Sequence, residues 1–145
     1  MLDTFEIPSV PGTERQAMER VAASVRDVGF PARRLERLKT AVAEATMNAI
    51  EHGNQGRAEL AVRVEVIAMD AQVIVRITDH GGGREIPEAT HPDLEAKLAG
   101  LQKPRGWGLF LIKNMVDELR VTSDERHHTV ELVMRLGGGT DGGNG

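Results

Sequence analysis

The chain has 145 residues, enough for one domain with a buried core, and its 40% apolar and 28% charged content is that of a globular protein. It has no cysteine, which excludes a disulfide scaffold, a thiol nucleophile and a thiolate metal site; aromatics are only 3%, so Leu, Val, Ile, Ala and Met must make the core. A formal net charge of −4 without any basic stripe argues against nucleic acid as a direct ligand, and no secretory signal or membrane span is legible, so a cytoplasmic protein is expected.

Leu2 to Ile7 is expected to form a first strand, closed by Pro8 and Pro11. Thr13, with Gln16 three residues on, has the spacing of a capping box, and Ala17, Val21, Val25 and Val28 then recur at helical spacing up to Gly29 and Pro31. A second helix is expected from Ala32 to His52, with Leu35, Leu38, Val42, Ala45 and Ala49 as its apolar stripe and Gly53-Asn54 as its C-cap. The period then changes. Leu60 to Ala68 alternates as a strand, Asp70-Ala71 supplies a turn, and Val73, Val75 and Ile77 continue the hairpin into Thr78-Asp79-His80-Gly81-Gly82-Gly83.

Residues 84–104 are mostly polar, with three prolines and room for a short helix near Asp93 to Leu98, and read as a long loop of the functional or mobile kind. Gly106-Trp107-Gly108 opens a third helix through Leu109, Ile112, Met115 and Val116. Leu119 to Thr122 and Val130 to Met134 are expected to be the last two strands, with His127 and His128 as exposed residues of the hairpin between them. The glycine-rich segment 137–145 cannot pack a core and is expected to be a disordered tail behind one domain spanning 1–136. These elements suggest an α+β two-layer sandwich, with the helices on one face of a mixed sheet.

Three stretches carry chemistry. Glu44, Asn48 and His52, spaced four residues apart, line one polar stripe at the edge of the second helix's apolar face; a carboxylate there can accept a proton, and an amide oxygen can ligate a hard cation. Alone, the stripe reads more readily as a solvated helix flank, since it carries no specificity by itself. Asp79 stands before three glycines, which let a ligand approach the backbone while the carboxylate accepts from an amino group; alone, it is also an ordinary strand-ending turn. Arg105-Gly106-Trp107-Gly108-Leu109 opens a helix, where exposed N–H groups and a cation favour phosphate; it is neither a Walker A loop nor a dinucleotide fingerprint.

In their order, these stretches resemble the GHKL ATPase superfamily: Glu44 to Gly53 its N box, Asp79 to Gly83 its D-x-G-x-G box, and Gly106 to Leu109 its second glycine box. Within it, Leu38 to Ala45, Asn48 to Gly53 and Arg105 to Lys113 with Asp117-Glu118 are most similar to bacterial anti-sigma factor serine/threonine kinases.

The resemblance implies the Bergerat ATP-binding fold, ATP and Mg²⁺ as cofactors, and two partners, a sigma factor and an anti-anti-sigma protein of the STAS type, with homodimer formation. By the same resemblance Glu44 is the general base, and Asn48 ligates Mg²⁺. Asp79 takes the adenine amino group, Gly81 and Gly83 shape its pocket, and Arg105 with Gly106, Gly108 and Leu109 holds the phosphates. Thr129 matches a hydroxyl near adenine, and His52 faces the same pocket edge. Arg84-Glu85-Ile86-Pro87 departs from the pattern after Gly83. Two further readings remain open: a non-catalytic GHKL-fold binding module, and a histidine kinase catalytic domain, which the lack of an acceptor-histidine helix disfavours.

Overall fold

Alternation of apolar and polar residues puts Val62, Val64 and Val66 on one face of strand β2 (Ala61–Met69), and Val73, Val75 and Ile77 on the same face of β3 (Gln72–Asp79), all at most 1% exposed. The two form a hairpin whose turn residues, Asp70 and Ala71, both take positive φ (50° and 59°), as a tight two-residue turn that follows the strand twist requires. The computed structural model describes residues 1–82 and 107–136, with backbone alone for 107–109. Within them a five-stranded sheet runs in the order β1 (Asp3–Pro8), β2, β3, β5 (His128–Arg135), β4 (Glu118–Ser123). Each neighbouring pair is antiparallel; the parallel pairing of a mixed sheet does not occur among the described residues.

The helices α1 (Glu14–Ser24), α2 (Ala32–Asn48) and α3 (Trp107–Lys113) give the second layer of an α+β sandwich. Ala17 and Val21 of α1, Leu38, Val42 and Ala45 of α2, and Ile112 of α3 share one core with Phe5, Ile7, the β2 and β3 valines, Val130, Leu132 and Met134. Each fully buried Leu or Val there contributes about 1.5–3 kcal/mol. The other sheet face carries the interleaved residues: the charged series Glu65, Arg76, Glu131 and Arg120, joined by ion pairs of 2.8–3.8 Å, and the Thr78–Thr129 hydroxyl pair. Thr13 does not cap α1. Its hydroxyl donates to the carbonyls of Pro8 and Val10, tying the helix start to the end of β1 instead.

Two anchors fix α2 across the sheet. Near its start, buried Arg34 donates to the Arg135 carbonyl at 2.8 and 3.1 Å and pairs with Asp117, whose carboxylate also accepts the Arg135 N–H at 2.6 Å. That clamp lies at the β5 end farthest from His128. At the opposite end α2 does not run to His52: the α-helix stops at Asn48, and Ala49–Gly53 form a π turn, with the Asn54 N–H reaching the Ala49 carbonyl five residues back at 2.8 Å. The positive φ that ends the helix falls on Gln55 and Gly56 (55° and 68°), so Gly53 is not the left-handed cap expected of it.

Candidate functional site

The π turn delivers the end of α2 against the end of β3, and such turns are often found at functional sites. Gly53 is buried, and a Cβ on it would lie 2.2 Å from the Asp79 carboxyl carbon and from Oδ2, and 2.6 Å from Oδ1. Only a glycine permits that approach. Asp79 itself is 3% exposed, as β-strand alternation dictates for the residue two beyond Ile77 on the core face.

A buried carboxylate must be hydrogen-bonded to be tolerated. Asp79 Oδ1 accepts the Gly81 N–H at 2.7 Å, folding the first glycine of the loop back over the carboxylate. Oδ2 faces Nδ1 of His128 at 3.4 Å, because Asp79 and His128 are direct partners in the β3–β5 register and share the core face. His128 is 8% exposed, and its Nδ1 has no hydrogen-bond partner.

Asn54 holds the surrounding backbone. Its amide nitrogen donates to Ser9 Oγ (2.8 Å) and to the carbonyls of Leu60 (3.3 Å) and Ala61 (3.2 Å), and its oxygen accepts the His80 N–H at 2.7 Å. One side chain thus joins the ends of β1, α2, β2 and β3, with its amide nitrogen and its amide oxygen both engaged. Gly82 lies flat on the β4–β5 hairpin: a Cβ there would meet the backbone of Arg126 and His127 at 2.3–2.4 Å. The His80 and His127 rings stand 5.4 Å apart above this contact.

Of the residues singled out from sequence, Asp79 and Gly81 are brought together by the Gly81 N–H bond to the carboxylate. Glu44 and Asn48 sit half-buried, one turn apart, on the α2 segment leading into the π turn. His52 belongs to the π turn and is exposed, so the regular four-residue stripe does not extend to it. Gly108 and Leu109 fall in the first turns of α3, as the helix expected there requires. Gly83, Arg105 and Gly106 lie outside the described residues.

Thr129 is corrected. Paired with Thr78 in the register, it points to the face away from the helices, its hydroxyl 3.2 Å from that of Thr78. The residue beside Asp79 is the preceding one, His128, which is buried rather than an exposed turn residue. Gly53, Asn54 and Gly82 were legible as turn formers but not as contacts of the carboxylate and its loop. The one available signal for His128 was parity: it lies two residues before the core-facing Val130.

The sandwich, with its helix layer on one face of this antiparallel sheet, defines the class of fold: a two-layer α+β domain. Residues 7–134 match the histidine kinase-like ATPase domain, and the chain belongs to that family. The anti-sigma F factors of Bacillus thuringiensis (strain Al Hakam) and Bacillus mycoides (strain KBAB4) are each 34% identical to it over 132 residues, covering 86% of this chain and 85% of theirs. Among solved structures, the RsbU and RsbW domains of a Mycobacterium tuberculosis protein superpose with a TM-score of 0.61 at 18% identity, covering 92% of this chain and 32% of the other. The histidine kinase domain of a blue-light activated kinase from Erythrobacter litoralis gives 0.55 at 21% identity, over 85% and 61%. At these identities the two structures speak to the fold alone.

Proposed function

We propose that the chain is a Mg-ATP-dependent anti-sigma factor that sequesters a sigma factor and phosphorylates a serine or threonine of an anti-anti-sigma protein of the STAS type. The observation that carries the nucleotide reading is Asp79: a buried carboxylate wedged on Gly53, folded under its glycine loop, and suited to accept the exocyclic amine of adenine. The likeness to anti-sigma F factors over 86% of the chain supports the choice of partners.

In this reading Glu44 accepts the proton of the attacking hydroxyl. The hydroxyl oxygen bonds to the γ-phosphorus as the bond to the β–γ bridging oxygen breaks, and ADP leaves. Such transfer needs mainly positioning and neutralised charge. The donor set fits Mg²⁺: the half-buried amide oxygen of Asn48, one turn from Glu44, suits an ion that takes one or two protein oxygens and completes its shell with phosphates and water. Bound there, the ion would neutralise phosphate charge. Arg105 and Gly106, with the N–H groups of Gly108 and Leu109 in the first turn of α3, hold the phosphates, and Gly83 serves the adenine. His52 marks the outer edge of the pocket.

Described residues contain no helix long and apolar enough to cross a membrane. In the proposed role the protein acts in the cytoplasm as a homodimer, through a single domain spanning residues 1–136. The test is transfer from γ-labelled ATP to a purified anti-anti-sigma protein, with Glu44→Ala as control. Label on the partner that Glu44→Ala abolishes supports the kinase. Tight Mg-ATP binding without transfer leaves a non-catalytic binding module, and label retained on a histidine of the chain points to a histidine kinase.

A further inference from the structure

Beside Asp79, on the helix side of the sheet, lies a buried polar atom that makes no hydrogen bond. His128 Nδ1 is buried, makes no hydrogen bond, and lies 3.4 Å from Asp79 Oδ2. An unmatched buried donor or acceptor is costly, so a group kept in that state in a binding site is poised to be satisfied when the site fills. Its placement is not accidental to the fold. The antiparallel register sets His128 directly opposite Asp79, and β-strand alternation sends both side chains to the helix side. The hydroxyl that the sequence suggested for this place, Thr129, is on the other face.

We propose that His128 is a specificity-determining residue for the nucleotide base. In the filled pocket its Nδ1–H closes on Asp79 Oδ2 and commits the carboxylate to accepting. A pocket so arranged takes a purine carrying an amino group at position 6 and rejects one carrying a carbonyl there, because two acceptors would then face each other in a buried site. Gly81 acts from the other side, donating its N–H to Oδ1, so the carboxylate is oriented by a backbone donor on one oxygen and an imidazole donor on the other. The inference rests on the reading of Asp79 as the acceptor for the base.

The experiment compares Mg-ATP with Mg-inosine triphosphate, its 6-oxo counterpart, by calorimetry on the full chain. Wild type is expected to favour ATP. His128→Leu, which fills the space without a donor, is expected to lose about tenfold of that preference, the effect of one buried hydrogen bond. His128→Asn, whose amide nitrogen can occupy the Nδ1 position, is expected to keep the preference within about threefold. A purely space-filling histidine would give the opposite order, with Leu the better replacement. Nitrogen-15 shifts of His128 in the wild-type ATP complex add a readout independent of mutant folding: a proton on Nδ1 supports the proposal, and a bare Nδ1 overturns it. If wild type binds ATP and His128→Leu discriminates as well as wild type, the role of His128 falls while the nucleotide site stands. If wild type binds neither nucleotide, both fall.

Discussion

Gly53 and Asp79 stand in contact across the junction of α2 and β3, with the position of a Gly53 Cβ only 2.2 Å from the carboxylate. The glycine is there for space, since its φ is not in the left-handed region. Gly53→Ala should therefore push the carboxylate out of place. We expect at least a tenfold loss of Mg-ATP affinity by calorimetry, with about 1–3 kcal/mol of lost stability in urea melts, the usual effect of an overpacked site. Unchanged affinity would show that the Asp79 position does not matter to the ligand.

How the sequence foreshadowed this contact is instructive. Asp79-His80-Gly81-Gly82-Gly83 announces a carboxylate before a permissive loop, and β-strand parity places Asp79 on the core side. Gly53 and Asn54 follow a helix and so read as a C-cap, because local pattern records backbone conformation and not what a distant strand brings alongside. The π turn was invisible for the same reason. Its extra residue satisfies a tertiary fit between Gly53 and Asp79, and no residue type encodes it. His128 illustrates a different limit: two adjacent histidines near a turn look solvated, and only the pairing of His128 with Asp79 buries one of them.

Asn54 gives a second test. Its amide bonds to Ser9, Leu60, Ala61 and the His80 N–H are all lost in Asn54→Ala; the Leu60 carbonyl keeps the Ser9 hydroxyl at 2.6 Å, whereas the His80 N–H loses its side-chain acceptor. Stability should fall by about 1–3 kcal/mol, the usual effect of losing a part-buried hydrogen-bond network. Amide exchange should rise first at His80, whose N–H loses its acceptor. An unaltered His80 exchange rate would contradict the assignment.

Arg34 serves the fold at the other end of α2. Arg34→Ala leaves Asp117 and the Arg135 carbonyl without their buried cation, a change expected to remove about 3–5 kcal/mol. Because the clamp sits away from Asp79, the folded fraction should bind Mg-ATP as wild type does. Chemical denaturation and calorimetry below the melting range check both halves. Weakened binding in the folded fraction would show that the two ends of α2 are coupled.

Asp3 makes part of the stability depend on pH. The Arg20 guanidinium hydrogen-bonded to it, with further donors from Ser24 and the Thr4 N–H, holds its carboxyl below the ordinary value. A carboxyl with a lower pKa in the folded state binds fewer protons folded than unfolded. Its stabilisation is therefore fully present above the ordinary aspartate value of about 3.9 and is lost as pH falls through the folded value. Asp3→Asn should lower Tm modestly at pH 7, with the difference from wild type shrinking as pH falls below the ordinary aspartate value. A Tm difference independent of pH would mean that the pair acts by packing alone.

The central claim is that Asp79 receives the base of a bound nucleotide, and Asp79→Asn tests it most directly. The substitution keeps the size and the oxygen that accepts the Gly81 N–H, and replaces the other oxygen with a donor. Titrated with Mg-ATP, the wild-type chain should bind one equivalent per protomer, and Asp79→Asn, still folded by circular dichroism, should bind at least about tenfold more weakly. Wild-type affinity in a folded Asp79→Asn chain would contradict the account.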